Sequence, residues 1–169
     1  MADPQTITDR AGRLFTLVFV VCLGLLGFGL FLQHVKGLDP CPWCVVLRLA
    51  FIAVGLVGLV AALHRPKGAG IAVYSVLGVL VALAGVAAAT YHVLLQKDPK
   101  RAAACIDSPV ERLLDASGIG DWVPPLLQYG GPCTLEPWSL LGLSIPQWAL
   151  VWFVILAITL ALLPWLSRR

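Results

Sequence analysis

The chain has 169 residues, of which 59% are hydrophobic and 12% charged, with 12 Lys and Arg against 9 Asp and Glu. Water-soluble domains carry about 25% charged residues, so this composition excludes one and points to an integral membrane protein. A formal net charge of +3, with no basic patch and no glycine-rich phosphate loop, gives no footing for nucleic acid or nucleotide binding.

Four apolar runs are long enough to cross about 30 Å of hydrocarbon at about 1.5 Å per helical residue: Leu14 to Val35, Cys44 to Leu63, Ile71 to Leu95 and Gln147 to Leu166. Lipid cannot satisfy backbone N–H and C=O groups, and the runs lack the alternation of barrel strands, so they are expected to be helices. The predicted fold is an all-α membrane protein, a four-transmembrane-helix bundle forming one integral domain over residues 1–169. Its outer loop, about residues 96–146, is expected to carry a short helix lying on the membrane.

Residues 1 to 13 are polar and are expected to precede helix 1 as a mobile segment. The first apolar run resembles a signal peptide, with Arg10 and Arg13 before it, but it is too long and no small-residue cleavage site follows, so a retained helix is expected. Arg65-Pro66-Lys67-Gly68 is a compact link between antiparallel helices 2 and 3. Arg10, Arg13, Arg65, Lys67, Arg168 and Arg169 fall on one side of the membrane. Lys36, Lys97, Lys100, Arg101 and Arg112 are spread through the longer polar length on the other, diluted by acids. The excess of positive charge in short segments puts both termini in the cytoplasm and the cysteine loops outside, where disulfides persist.

Cys41-Pro42-Trp43-Cys44 lies where one apolar run ends and the next begins. Pro42 suits the first helical position, which makes Cys41 the N-cap and sets Cys44 one turn inside, both near the positive end of the helix dipole. That field favours the thiolate, the form that attacks disulfides and electrophilic carbons. Two buried structural thiols are the bland alternative. A zinc site would need two further ligands, and the 28-residue separation of Cys105 and Cys133 offers no second knuckle. No His follows Cys44, which removes c-type haem attachment.

Arg48 stands four residues after Cys44, on the same helical face, inside a membrane helix where an arginine is costly. It is expected to stabilise a Cys44 thiolate or a negative oxygen beside it, with snorkelling to the interface as the alternative. His92 falls near the outer end of helix 3 at comparable depth; one reading has Arg48 and His92 flanking one ligand, the other a merely interfacial His92, as is commoner for a lone His at a helix end. His34 and His64, near other helix ends, are read as interfacial only.

About fifty residues, Gln96 to Pro146, separate helices 3 and 4, a length that usually signals function. Ser108-Pro109-Val110-Glu111 has the form of a capping box, predicting a short helix to about Ala116. Trp122 to Tyr129 follows as an apolar patch bracketed by aromatics, expected at headgroup level and keeping Cys105 and Cys133 near Cys41. A bridge between Cys105 and Cys133 would close a flexible loop, and such disulfides are the labile ones. Pro109 and Gly130-Gly131-Pro132 are expected to keep both cysteines out of regular helix. A structural staple is the alternative, and with it a noncatalytic membrane scaffold.

Over nearly the whole chain, these residues resemble the bacterial DsbB family of membrane disulfide oxidoreductases. The resemblance rests on Gln33-His34, Pro40-Cys41-x-x-Cys44, Arg48, His92, the looped pair Cys105 and Cys133, Leu141-Gly142-Leu143 and Pro146-Gln147-Trp148. Leu47 departs from it, standing where a polar residue is expected. Vitamin K epoxide reductases are less similar, because their Cys-x-x-Cys pair comes late in the bundle.

The resemblance implies a thiol:quinone oxidoreductase that reoxidises a periplasmic thioredoxin-fold oxidase, DsbA-like, and passes two electrons to the membrane quinone pool, ubiquinone or menaquinone, with no metal. It implies redox disulfides Cys41–Cys44 and Cys105–Cys133, with Cys105 as the entry point for the partner and Cys133 attacking Cys41. Cys44, Arg48 and His92 are then the quinone-site residues. Cys22, inside helix 1, has no role in this scheme.

Overall fold

A computed structural model describes residues 4–98, 108–118, 120, 123–131, 133 and 139–167. Among the described residues, four long helices are apolar enough to cross a membrane: α1 (Pro4–Lys36), α2 (Pro42–His64), α3 (Ala69–Lys97) and α6 (Ile145–Leu166). Among the described residues between α3 and α6 are two short helices, α4 (Pro109–Ser117) and α5 (Pro124–Leu127), and a two-stranded hairpin, β1 (Ser139–Leu140) and β2 (Leu143–Ser144). The protein is an all-α membrane bundle of four long helices. Large apolar side chains such as Leu17, Leu63, Val76 and Leu80 stay exposed on the helices, as lipid-facing positions require.

The start of α1 corrects the sequence expectation. Residues 4–13 belong to the helix, where a mobile polar segment was expected. Pro4 fits a first helical turn, and Thr8 and Ala11 are buried, so packing holds these turns. Once nucleated, a helix adds residues cheaply.

Contacts group the chain into two compact units. One contains Met1–Leu26, Ala50–Gly85 and Trp152–Arg169; the other contains Gly27–Leu49 and Val86–Val151. In the first, Phe15, Val54, Ala61, Ala82, Phe153, Leu160 and Leu163 are fully buried. Small residues let the helices approach closely, the usual packing device in lipid. A Cβ at Gly58 would sit 3.0 Å from the Phe15 carbonyl oxygen, and one at Gly85 would sit 2.5 Å from the Phe153 ring. The Phe153 ring in turn stacks on Phe51 at 4.0 Å. Cys22 is buried here, its Cβ 3.2 Å from where a Gly55 side chain would begin.

The second unit holds the polar chemistry. Its α4 begins as expected: Ser108 is the N-cap and its Oγ accepts from the Glu111 N–H at 3.1 Å, while Gly118 closes the helix at φ 60. Leu114 of α4 and Leu127 of α5 are buried against Val45, so both short helices pack on the first turns of α2. The hairpin turns through Leu141 (φ 55) and Gly142 (φ 79), both left-handed, as a two-residue type I′ connection demands. It leads into α6 with the Gln147 side chain accepting from the Ser144 N–H at 2.8 Å, the glutamine half of a capping box. Ser144 Oγ donates to Gln96 Oε1 at 2.9 Å, joining the end of α3 to the start of α6.

Candidate functional site: a dithiol at the start of α2

α2 starts at Pro42, and the Val45 N–H donates to the Cys41 carbonyl at 3.3 Å, so Cys41 occupies the N-cap position. Cys44 lies one turn in, half-buried. The two sulfurs are 3.4 Å apart, beyond the roughly 2.05 Å of a disulfide, so the pair stands as two thiols. Cys41 is buried, and His92 from α3 places Nε2 3.4 Å from its Sγ. Together these contacts hold the Cys41 thiol well below its ordinary range: first the Cys44 thiol, then His92, against an opposing effect of burial.

His92 is 1% exposed, and its Nδ1 has no hydrogen-bond partner among the described residues. The Trp43 and Tyr91 rings pack at 4.7 Å, joining α2 and α3 beside the thiols. The sequence reading set His92 beside Arg48 around a ligand; here its nearest chemical partner is Cys41.

Arg48, one turn beyond Cys44, is half-buried and within electrostatic range of both sulfurs. Its Nη1 donates to Gln33 Oε1 at 2.8 Å and to the Leu126 carbonyl at 2.6 Å. The guanidinium therefore ties α1 and the loop helix α5 to the thiol-bearing turn, a structural task the sequence reading did not assign. Gln33 had entered only as part of a motif. A polar side chain at the end of a membrane helix was the signal that it pairs with something.

Cys133 is disulfide-bonded and 3% exposed, and it shares one buried cluster with Cys41, against Trp43 and Cys44. Backbone contacts bring it there. The N–H groups of Gly130 and Gly131 both donate to the Pro40 carbonyl at 3.1 Å, and a Cβ on Gly131 would overlap the Asp39 carbonyl. Glycine is required by this approach of two backbones. Cys105 and Trp122 lie outside the described residues.

Tyr129 donates its hydroxyl to the Asp115 carboxylate, linking α4 to the segment that leads to Cys133. Burial and then that carboxylate push the phenol up to about 12. His34 Nδ1 meets the Leu30 carbonyl and His64 Nδ1 the Tyr74 hydroxyl. The sulfurs of Cys41 and Cys44 and a ring nitrogen of His92 lie within 4.8 Å of one another, so His92 offers the third donor that a metal reading of the Cys pair had lacked.

A membrane helix that carries a vicinal dithiol at its N-terminus, with a disulfide-bonded cysteine buried against it, defines a membrane protein of thiol–disulfide chemistry. Comparison with known proteins gives the family. The model for disulfide bond formation protein DsbB matches residues 11–163, and the chain belongs to the DsbB family. Among its relatives, the disulfide bond formation protein B of Ralstonia nicotianae is 43% identical over 146 residues, covering 86% of this chain and 89% of that protein. The proteins of the same name from Aromatoleum aromaticum and Hahella chejuensis are 42% and 40% identical. Of these two, the first covers 91% of this chain and 92% of its own length, the second 89% and 90%. The chain is accordingly a multi-pass membrane oxidoreductase with a role in disulfide bond formation.

Proposed function

We propose that this protein reoxidises a periplasmic thioredoxin-fold dithiol partner, DsbA-like, and delivers the two electrons to a membrane quinone. The observation that carries this reading is the burial of disulfide-bonded Cys133 against Cys41. An exchange between the loop pair and the helix pair needs those two sulfurs as neighbours.

In the proposed sequence a partner thiolate attacks Cys105 of the Cys105–Cys133 disulfide; the S–S bond breaks and Cys133 leaves as a thiolate. That thiolate attacks Cys41 of an oxidised Cys41–Cys44 pair, forming a Cys41–Cys133 bond and releasing Cys44 as a thiolate. Each exchange makes one S–S bond and breaks one. When the partner's second thiolate displaces Cys105 from the mixed disulfide, and Cys105 then displaces Cys41 from Cys133, the partner leaves oxidised, the Cys105–Cys133 bond is restored and the two electrons reside in the Cys41–Cys44 dithiol. His92, donating to Cys41, stabilises that sulfur whenever it leaves as the anion. Arg48, one turn past Cys44, stabilises negative charge there.

A quinone fits the residues present. His92 Nδ1 is a buried polar atom without a described partner, and Arg48 adds a fixed cation beside Cys44. Cys44, Arg48 and His92 would hold the ring, which when bound supplies a two-electron acceptor dissolved in lipid. Of the two uses open to the Cys41, Cys44 and His92 cluster, redox exchange agrees with the family and metal binding does not enter the scheme. Both termini are assigned to the cytoplasm and the cysteine loops to the periplasm, on the charge distribution. The exposed Leu113 and Val123 of the α4–α5 segment suit a loop lying on the bilayer.

The experiment is quinone reduction by purified protein supplied with reduced DsbA-like partner, compared with variants lacking Cys41, Cys44, Cys105 or Cys133 in turn. Each variant is expected to lose turnover. Full turnover without Cys105 contradicts its entry role. A scaffold would keep its assembly role after Cys44→Ser, whereas the enzyme loses activity.

A further inference from the structure

A cleft of about 480 Å³ lies between the first turns of α1 and the turn after α2, lined by Thr8, Asp9, Arg13, Thr16, Ala62 and Arg65 together with Gly12. None of its residues takes part in the thiol chemistry. The side chains of Asp9, Arg13 and Arg65 make no ion pair or hydrogen bond with a described residue, although an acid and two guanidiniums line one cavity. Thr16 Oγ1 spends its proton on the Gly12 carbonyl at 2.9 Å and keeps lone pairs for an outside donor. Arg65 sits at φ 49, a left-handed position where a side chain costs about 1 kcal/mol or more relative to glycine.

We propose that this cleft holds the headgroup of a phospholipid, with Arg13 and Arg65 on the phosphodiester and Asp9 accepting from a hydroxyl or ammonium group beyond it. Guanidinium is the side chain best matched to phosphate oxygens. The carboxylate is what separates a phospholipid from free phosphate: it repels a compact dianion, yet pairs with the donor that glycerol or ethanolamine carries at the far side of the phosphodiester. The helix surface below the cleft agrees. Leu17, Val20 and Leu23 continue the α1 face of Arg13 and Thr16 at helical spacing and are 54%, 54% and 57% exposed, a stripe along which acyl chains can lie. A free anion would have no use for that stripe.

The test is native mass spectrometry of the full-length protein in mild detergent, with phosphatidylglycerol, phosphatidylethanolamine or phosphatidylcholine added at equal concentration. One phosphatidylglycerol or phosphatidylethanolamine is expected to stay bound, favoured about fivefold or more over phosphatidylcholine, whose quaternary ammonium has no proton to give Asp9. Arg13→Gln with Arg65→Gln is expected to lose about tenfold in retention. Asp9→Asn is expected to keep binding while losing the preference over phosphatidylcholine. Should the double variant fail to fold, judged by helical circular dichroism on heating, Arg65→Gln alone, at an exposed turn residue, carries the comparison. Equal retention of all three lipids, or unchanged retention in the arginine variants, overturns the proposal. Displacement of bound lipid by millimolar inorganic phosphate also overturns it, assigning the cleft to a free anion.

Discussion

The Nε2 of His92 lies 3.4 Å from the Sγ of Cys41, joining α3 to the sulfur that caps α2. Because Cys44 and His92 both favour the Cys41 thiolate, its folded-state pKa is depressed. The stability this gives the reduced protein is complete above the ordinary thiol value of about 8.5 and is lost as pH falls through the lower folded value. In a Cys22→Ala, Cys105→Ala, Cys133→Ala background, thiolate absorbance at 240 nm is expected to titrate below that ordinary value. Adding His92→Phe should move the titration upward, and Cys44→Ala should move Cys41 further, since the neighbouring thiol contributes most. A titration of Cys41 unchanged by His92→Phe would remove the imidazole from this role.

Arg48 bonds both Gln33 and the Leu126 carbonyl. Replacing it with Met removes a charge-assisted bond of about 1.5–3 kcal/mol to the loop. Amide hydrogen exchange at Leu126, Leu127 and Gln128, whose N–H groups close α5, is expected to accelerate by about ten- to a hundredfold, since 1.4 kcal/mol is a factor of ten. Quinone KM should rise in the same variant. Unchanged exchange in α5 would show that this carbonyl contact does not hold the loop.

At Gly131 the expectation is one of position. Gly131→Ala forces its Cβ into the Asp39 carbonyl, and the backbones must separate, at about 1–3 kcal/mol for an overpacked contact. Electron entry from the dithiol partner should slow, because Cys133 is moved from Cys41. Quinone reduction by protein whose Cys41–Cys44 pair is reduced chemically should be retained. Equal loss of both activities would mean that the substitution damages the site at large.

The long helices were legible because lipid forces every backbone group into an internal bond, which leaves length and hydropathy as sufficient signals. The N-cap position of Cys41 was legible from Pro42, and the start of α4 from Ser108 and Pro109, since both rest on local chemistry. The extension of α1 to Pro4 was not, because burial of Thr8 and Ala11 depends on tertiary neighbours. Nor was the use of Gly130-Gly131: their sequence says only that the chain is not helical there, while the requirement comes from Asp39 and Pro40, some ninety residues earlier. The Arg48 bond to Leu126 was hidden for a related reason, since a main-chain carbonyl has no sequence signature. Leu141 in a left-handed turn was likewise unreadable, as the tight hairpin imposes it against the residue's own preference.

The central claim is that electrons pass from the loop to the helix through Cys133 and Cys41. In a Cys44→Ser, Cys105→Ser variant these two sulfurs are left without their usual mates, and peptide mass spectrometry under non-reducing conditions reads what they do. The account expects a Cys41–Cys133 disulfide as the main product. A variant in which both remain free thiols under oxidising conditions, or in which Cys133 pairs with Cys22 instead, would contradict it.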